Sequence, residues 1–208
     1  MVASPIGDFH GFIPAQIKAS VRGGHALVHE AKSLGIDIPL LTHRNGNLVT
    51  KFLDRALEEL QRFREEGKVL ATGVSIHARK LAGSLVARGA IQALMMRYNA
   101  AHRGAEQDIF PHLAAHNPAV ISYPATRWTY LLRRPRGWPR NGRIPTPELC
   151  YRFVLSNPNV HVCLTAPKNM KELEQNLAAL HQGPLSEDDM QFMRDFGDAV
   201  HAQKKWFM

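Results

Sequence analysis

Several apolar runs in this chain end in side chains that can do chemistry. Ile36–Leu41 runs into Thr42-His43-Arg44-Asn45, and Val69–Val74 into Ser75-Ile76-His77. Ile91–Met96 runs into Arg97-Tyr98-Asn99, and Ala119–Ser122 ends at Tyr123. Polar groups gathered at the carboxyl ends of buried strands are how α/β folds place ligand-binding and catalytic residues. By that rule His43 and the Ser75–His77 segment lie at the active-site ends of their strands. Tyr123 can equally be a core or rim tyrosine.

A second feature is electrostatic. Between Ile109 and Pro147 there is no acidic residue, while Arg127, Arg133, Arg134, Arg136, Arg140 and Arg143 alternate with Trp128, Tyr130 and Trp138. Guanidinium forks suit phosphate oxygens, and flat rings suit a nicotinamide or a base. A cofactor-phosphate loop, a solvated basic surface and a nucleic-acid contact all fit. No nucleic-acid motif accompanies the loop, which puts nucleic acid last. His25 and His29 share a helix face at metal-ligand spacing, but the rest of a metalloprotease motif is missing, so no metal is expected.

The elements that position these groups follow from periodicity. Leu53, Ala56, Leu57, Leu60 and Phe63 predict an amphipathic helix over about 50–66, stopped by Gly67. Helices are also expected over 15–34, 80–88, 106–116, 147–155, from Asn169 and from Ser186. Asn169 with Glu172 reads as a capping box, and Met170, Leu173, Leu177 and Leu180 as an inward stripe. Met190, Met193, Phe196 and Val200 form the stripe of the last helix. Short apolar strands lie between these helices, at 36–41, 69–75, 91–98, 119–123 and 160–165. Alternation of this kind means an α/β fold with about five parallel strands, covered by helices. The dinucleotide glycine fingerprint and the phosphate-loop lysine motif are both absent.

The totals agree with a soluble α/β protein. The chain has 208 residues, 45% of them apolar, and a formal net charge of +8, which favours an anionic partner. Two cysteines, Cys150 and Cys163, make no disulfide framework and point to a reducing compartment, with the cytoplasm as default. Cys163 reads as a small core residue. No apolar run approaches the ~20 residues of a membrane span, so no membrane is expected.

In this order the motifs resemble the aldo-keto reductase family. Ile36-Asp37-Ile38-Pro39-Leu40-Leu41-Thr42-His43 is similar to the family's fourth strand and its histidine, and Leu53–Ser75 to the helix and strand that follow. Met96-Arg97-Tyr98-Asn99 resembles the sixth-strand segment, and Val120-Ile121-Ser122-Tyr123 the seventh strand with its tyrosine. Ala166-Pro167-Lys168-Asn169 through Glu174-Gln175-Asn176-Leu177 resembles the C-terminal cofactor motif, and Gly183-Pro184-Leu185-Ser186-Glu187 the entry to the last helix.

The resemblance implies a partial (β/α)8 TIM-type barrel, formed as a single domain with a loop at 1–14, core βα units at 36–166 and C-terminal helices at 169–208. It implies reduction of a small-molecule carbonyl substrate with NADPH, or with NADH. Ser75 would hold the nicotinamide carboxamide with His77 and Asn99 nearby, and Tyr123 would stack on the ring. Arg127 would lie by the pyrophosphate, Lys168 by the 2′-phosphate, and Gln175 and Asn176 by the adenine. Asn176 can equally be a solvated helix residue.

Of the family's catalytic Asp, Tyr, Lys and His, only His43 falls on the pattern. The other positions belong to βα units that this sequence does not match, so weak activity or none is expected. A non-catalytic nucleotide-binding module is the rival reading. So is a module that pairs with itself or with a partner completing the barrel.

Overall fold

A computed structural model describes residues 46–203, with side chains from Leu53 onward. The chain separates into two units at Glu59/Leu60, and only the start of one helix of the first unit is described. His43, the histidines at 25 and 29, and the expected helix at 15–34 and strand at 36–41 lie outside the described residues.

Helix α1 spans Gly46–Glu65. It ends as its sequence requires. Gly67 has φ +70, where a side chain is disfavoured. The Lys68 amide then donates to the Phe63 carbonyl at 2.9 Å and the Gly67 amide to Arg64 at 3.0 Å, a Schellman closure.

The second unit is built on four parallel strands in the order β1-β2-β3-β4: Gly73–Ser75, Ala93–Arg97, Ala119–Tyr123 and Val162–Cys163. Helix α2 (Arg79–Ala87) connects β1 to β2, and α4 (Pro147–Leu155) precedes β4. The remaining α-helices are the short α3 (Ala105–Asp108), α5 (Met170–His181) and α6 (Glu187–Gln203). This is the expected α/β alternation, and it matches part of a TIM-type barrel.

Period-two alternation gives the sheet two unlike faces. Leu94, Met96, Val120 and Ser122 are at most 1% exposed, whereas Met95, Arg97, Ile121 and Tyr123 are half-buried and Ser75 is exposed. Leu85, Val86, Phe153, Met193 and Phe196 complete the core under the helices. Gly197 lets α6 come close, because a Cβ there would run into the Ala100 carbonyl. A part-buried polar network ties the same region together. Tyr98 donates to Glu106 at 2.7 Å and accepts from Asn157 at 3.0 Å, while Arg194 grips Glu106 with two bonds.

Three expectations are corrected. The strand foreseen over 69–75 is ordered in the ladder only from Gly73, and Leu70 is 85% exposed. The helix foreseen over 106–116 breaks into α3 and a 3-10 turn at Phe110–Ala115, because Pro111 has no N–H for the Gln107 carbonyl. The inward stripe of α5 is turned outward. Met170 and Leu180 are 67% and 65% exposed, while Ala179 is buried and Leu173 and Asn176 are half-buried. The Asn176 amide, on the side of the helix turned toward the protein, donates to Thr165 Oγ1 at 2.7 Å.

Candidate functional site

The half-buried sheet face carries apolar residues at its centre and polar ones at its carboxyl end. Ser75 ends β1, Arg97 ends β2 and Tyr123 ends β3, and Arg97 and Tyr123 are Cα partners in the ladder. His77 follows β1 by two residues. Its Nδ1 lies 3.3 Å from the Tyr123 hydroxyl, with the rings edge-to-face at 6.0 Å. Burial raises the Tyr123 phenol above its ordinary pKa, opposed by a hydrogen bond from Ser75 and the charge of Arg97. Ser75, His77 and Tyr123 therefore form one cluster.

Asn99 and Arg127 are buried just beyond the ends of β2 and β3. Asn99 is fully buried, donates from Nδ2 to the Pro124 carbonyl at 2.9 Å and accepts from the Ala101 amide at 3.1 Å. Arg127 is 1% exposed, and its guanidinium donates to the Val200 carbonyl at 2.9 Å. Burial lowers its pKa, and the charge of Arg97 lowers it further. Its backbone sits at φ 48, followed by Trp128 at 51 and Thr129 at 69. A run of left-handed residues without glycine costs conformational energy, which the buried arginine anchor opposes.

The basic loop folds back on α6. Arg143 meets Asp189 at 2.6 Å and lies over the Phe192 ring at 4.5 Å. Trp138 packs edge-on against Phe196 at 4.9 Å and donates its indole N–H to the Arg143 carbonyl at 3.0 Å. Arg134 is bound to the carbonyls of Pro139 and Gly142. Arg133, Arg136 and Arg140 are exposed.

Beyond β4 the chain turns into α5. Asn169 caps it, accepting from the Glu172 amide at 2.9 Å, and the Glu172 carboxylate accepts from the Lys168 amide at 2.8 Å. The box thus closes on the residue before the cap, and Lys168 stands exposed at the helix entrance. Gln175 lines an open groove of about 310 Å³ with Thr146, Pro147, Glu148, Ala178 and Gln182. Asn176 binds Thr165, whose hydroxyl also meets Tyr151 at 2.8 Å. Among the described residues no group of three or more His, Cys, Asp or Glu side chains is placed to hold a metal, and no helix is long and apolar enough to cross a membrane.

Arg97 and His102 were not singled out from the sequence. His102 is 8% exposed, lies edge-on to His201 at 5.2 Å, and its Nε2 has no hydrogen-bond partner. Burial pushes its pKa down to about 3, helped by Arg97, Arg127, His201 and Arg79. The available signal for Arg97 was a lone charge closing an apolar strand.

The described parallel strands and helices match part of a TIM-type barrel, the fold seen in solved aldo-keto reductases. The apo form of aldo-keto reductase AKR11C1 from Bacillus halodurans aligns at TM-score 0.59 and 18% identity, covering 84% of this chain and 68% of that one. Its holo form aligns at 0.59 and 20% identity, covering 84% and 66%. The likeness is one of fold, and this chain spans about two thirds of the length of each. No protein-family model and no curated protein matches the chain.

Proposed function

We propose that this chain binds a nicotinamide dinucleotide at the carboxyl ends of β1–β4 and is a carbonyl oxidoreductase of aldo-keto reductase type. The observation that carries the reading is the convergence of Ser75, His77 and Tyr123 on one open rim. The residues fit the cofactor. The half-buried Tyr123 ring offers a flat platform, and Ser75 and His77 offer polar atoms beside it for an amide. Asn99 and Arg127 act from buried positions, Asn99 by tying the ends of β2 and β3 together and Arg127 by adding positive potential. We assign the exposed Lys168 to a 2′-phosphate, which favours NADPH over NADH, and Gln175, which borders a groove, to the base. Such a cofactor supplies hydride to a carbonyl carbon.

His43 is the residue we assign to the reaction itself. Carbonyl reduction is expected to be slow, since His43 alone matches the acid–base set and such catalysis contributes about 10²–10⁴-fold. Free Cys150 and Cys163 support a reducing, cytoplasmic setting.

A thermal melt with each dinucleotide tests the reading. Ligand at about 100 times its Kd adds about 2.7 kcal/mol, or roughly 5–10 °C for a chain of this size. The shift is expected with NADPH, smaller with NADH, and lost in Tyr123→Ala. A cooperative melt unmoved by either dinucleotide would overturn the proposal.

A further inference from the structure

Arg97 is a half-buried guanidinium that makes no hydrogen bond or ion pair with any described residue. It is the last residue of β2, on the open face of the sheet, opposite Tyr123 in the ladder. Its charged neighbours are cations. Arg79, Arg127 and the imidazole of His102 all feel its charge, and no described carboxylate acts on Arg97 or His102. The nearby carboxylate of Asp108 is engaged by Arg79 at 2.8 Å. The cluster also contains the orphaned Nε2 of buried His102.

A half-buried guanidinium fork with no bonded partner among the described residues matches a carboxylate or phosphate. We propose that Arg97 is the anchor of an oxyanion-binding site at the carboxyl end of β2, with the Tyr123 hydroxyl beside it and Arg79 and Arg127 flanking it. The ligand is a carboxylate or phosphate group. It is borne either by a small-molecule substrate, which would make the preferred carbonyl compound an anionic one, or by the dinucleotide. The site goes beyond the dinucleotide reading and does not require it, since a phosphate titration is readable whether or not NADPH binds.

The test is calorimetric titration of the whole chain with inorganic phosphate and, separately, with pyruvate. Saturable binding of at least one probe is expected. Arg97→Gln is expected to weaken it about tenfold or more, and Arg97→Lys less. Repeating the titration in saturating NADPH separates the sources. Competition assigns the site to a dinucleotide phosphate, and undiminished binding assigns it to a separate anionic ligand. Should the variants fail to fold, phenylglyoxal labelling of the unaltered protein, mapped by mass spectrometry, gives the second measurement. Labelling of Arg97 should slow in the presence of phosphate or pyruvate. Absence of binding by both probes, binding unchanged in Arg97→Gln, or labelling of Arg97 indifferent to both anions would each overturn the proposal.

Discussion

The Asn99 side-chain amide reaches from the end of β2 to the Pro124 carbonyl at the end of β3, at 2.9 Å, while its oxygen accepts from the Ala101 amide. One buried side chain therefore fixes the spacing of the two strand ends that carry Arg97 and Tyr123. Asn99→Ala leaves a carbonyl and an amide unpaired at a fully buried position. The expected loss is about 2–4 kcal/mol in urea unfolding. Asn99→Asp keeps the acceptor for Ala101 but turns a carboxylate toward the Pro124 carbonyl, and should be no less damaging. An aspartate variant as stable as the parent would show that this bond does not hold the site together.

His102 gives the protein an acid-sensitive element. The imidazole is buried near Arg97, Arg127, Arg79 and His201, and its pKa falls from 6.5 to about 3. The folded state therefore binds fewer protons than the unfolded state between these values. Its stabilising contribution is complete above pH 6.5 and is lost as pH falls toward 3. Stability should decline on acidification from pH 6.5, and His102→Gln should flatten that slope. In an NMR titration the His102 ring should show no transition near pH 6.5.

Both thiols should be unreactive. Burial raises Cys163 to about 12 and raises Cys150 further. The thiolate is the reactive species, so labelling by a disulfide reagent at pH 7–8 should be slow in the native protein and fast once it unfolds. Prompt labelling of Cys163 in the folded state would show that β4 opens readily.

How legible the molecule was depends on what each residue competes against. The alternation of helix and parallel strand was readable because Leu94, Met96, Val120 and Val154 are apolar for a single reason, burial. Gly67 and Asn169 were readable because helix ends have local chemistry. The face of α5 was not, because its periodicity does not say which side meets the sheet. The buried side runs through Glu172, Asn176 and Ala179, about one residue or roughly 100° from the expected stripe, and leaves Met170, Leu177 and Leu180 exposed. The cluster of Ser75, His77 and Tyr123 was foreseen as residues at strand ends. The burial of Asn99 and Arg127 was not, since sequence does not tell which polar side chain bonds to backbone. Arg97 escaped notice because its significance lies in what it lacks, a partner among the described residues.

The basic loop offers a ranking of forces. Its arginines suggested phosphate or nucleic acid, yet Trp138 and Arg143 hold it to α6. The Arg143 pair with Asp189 is half-exposed, 51% and 24%, so solvent screens it. Arg143→Ala should cost less than about 1 kcal/mol from the ion pair, with a further contribution from the Phe192 contact. Trp138→Ala removes ring contacts with Phe196 and Phe192 and an indole hydrogen bond. Because the indole is half-buried, its loss should stay below the ~3–5 kcal/mol of a fully buried aromatic, near about 2 kcal/mol. Chemical unfolding of the two variants side by side measures the order. If Arg143→Ala proves the more damaging, the loop is held by charge rather than by packing, and its attachment to α6 should then weaken with added salt.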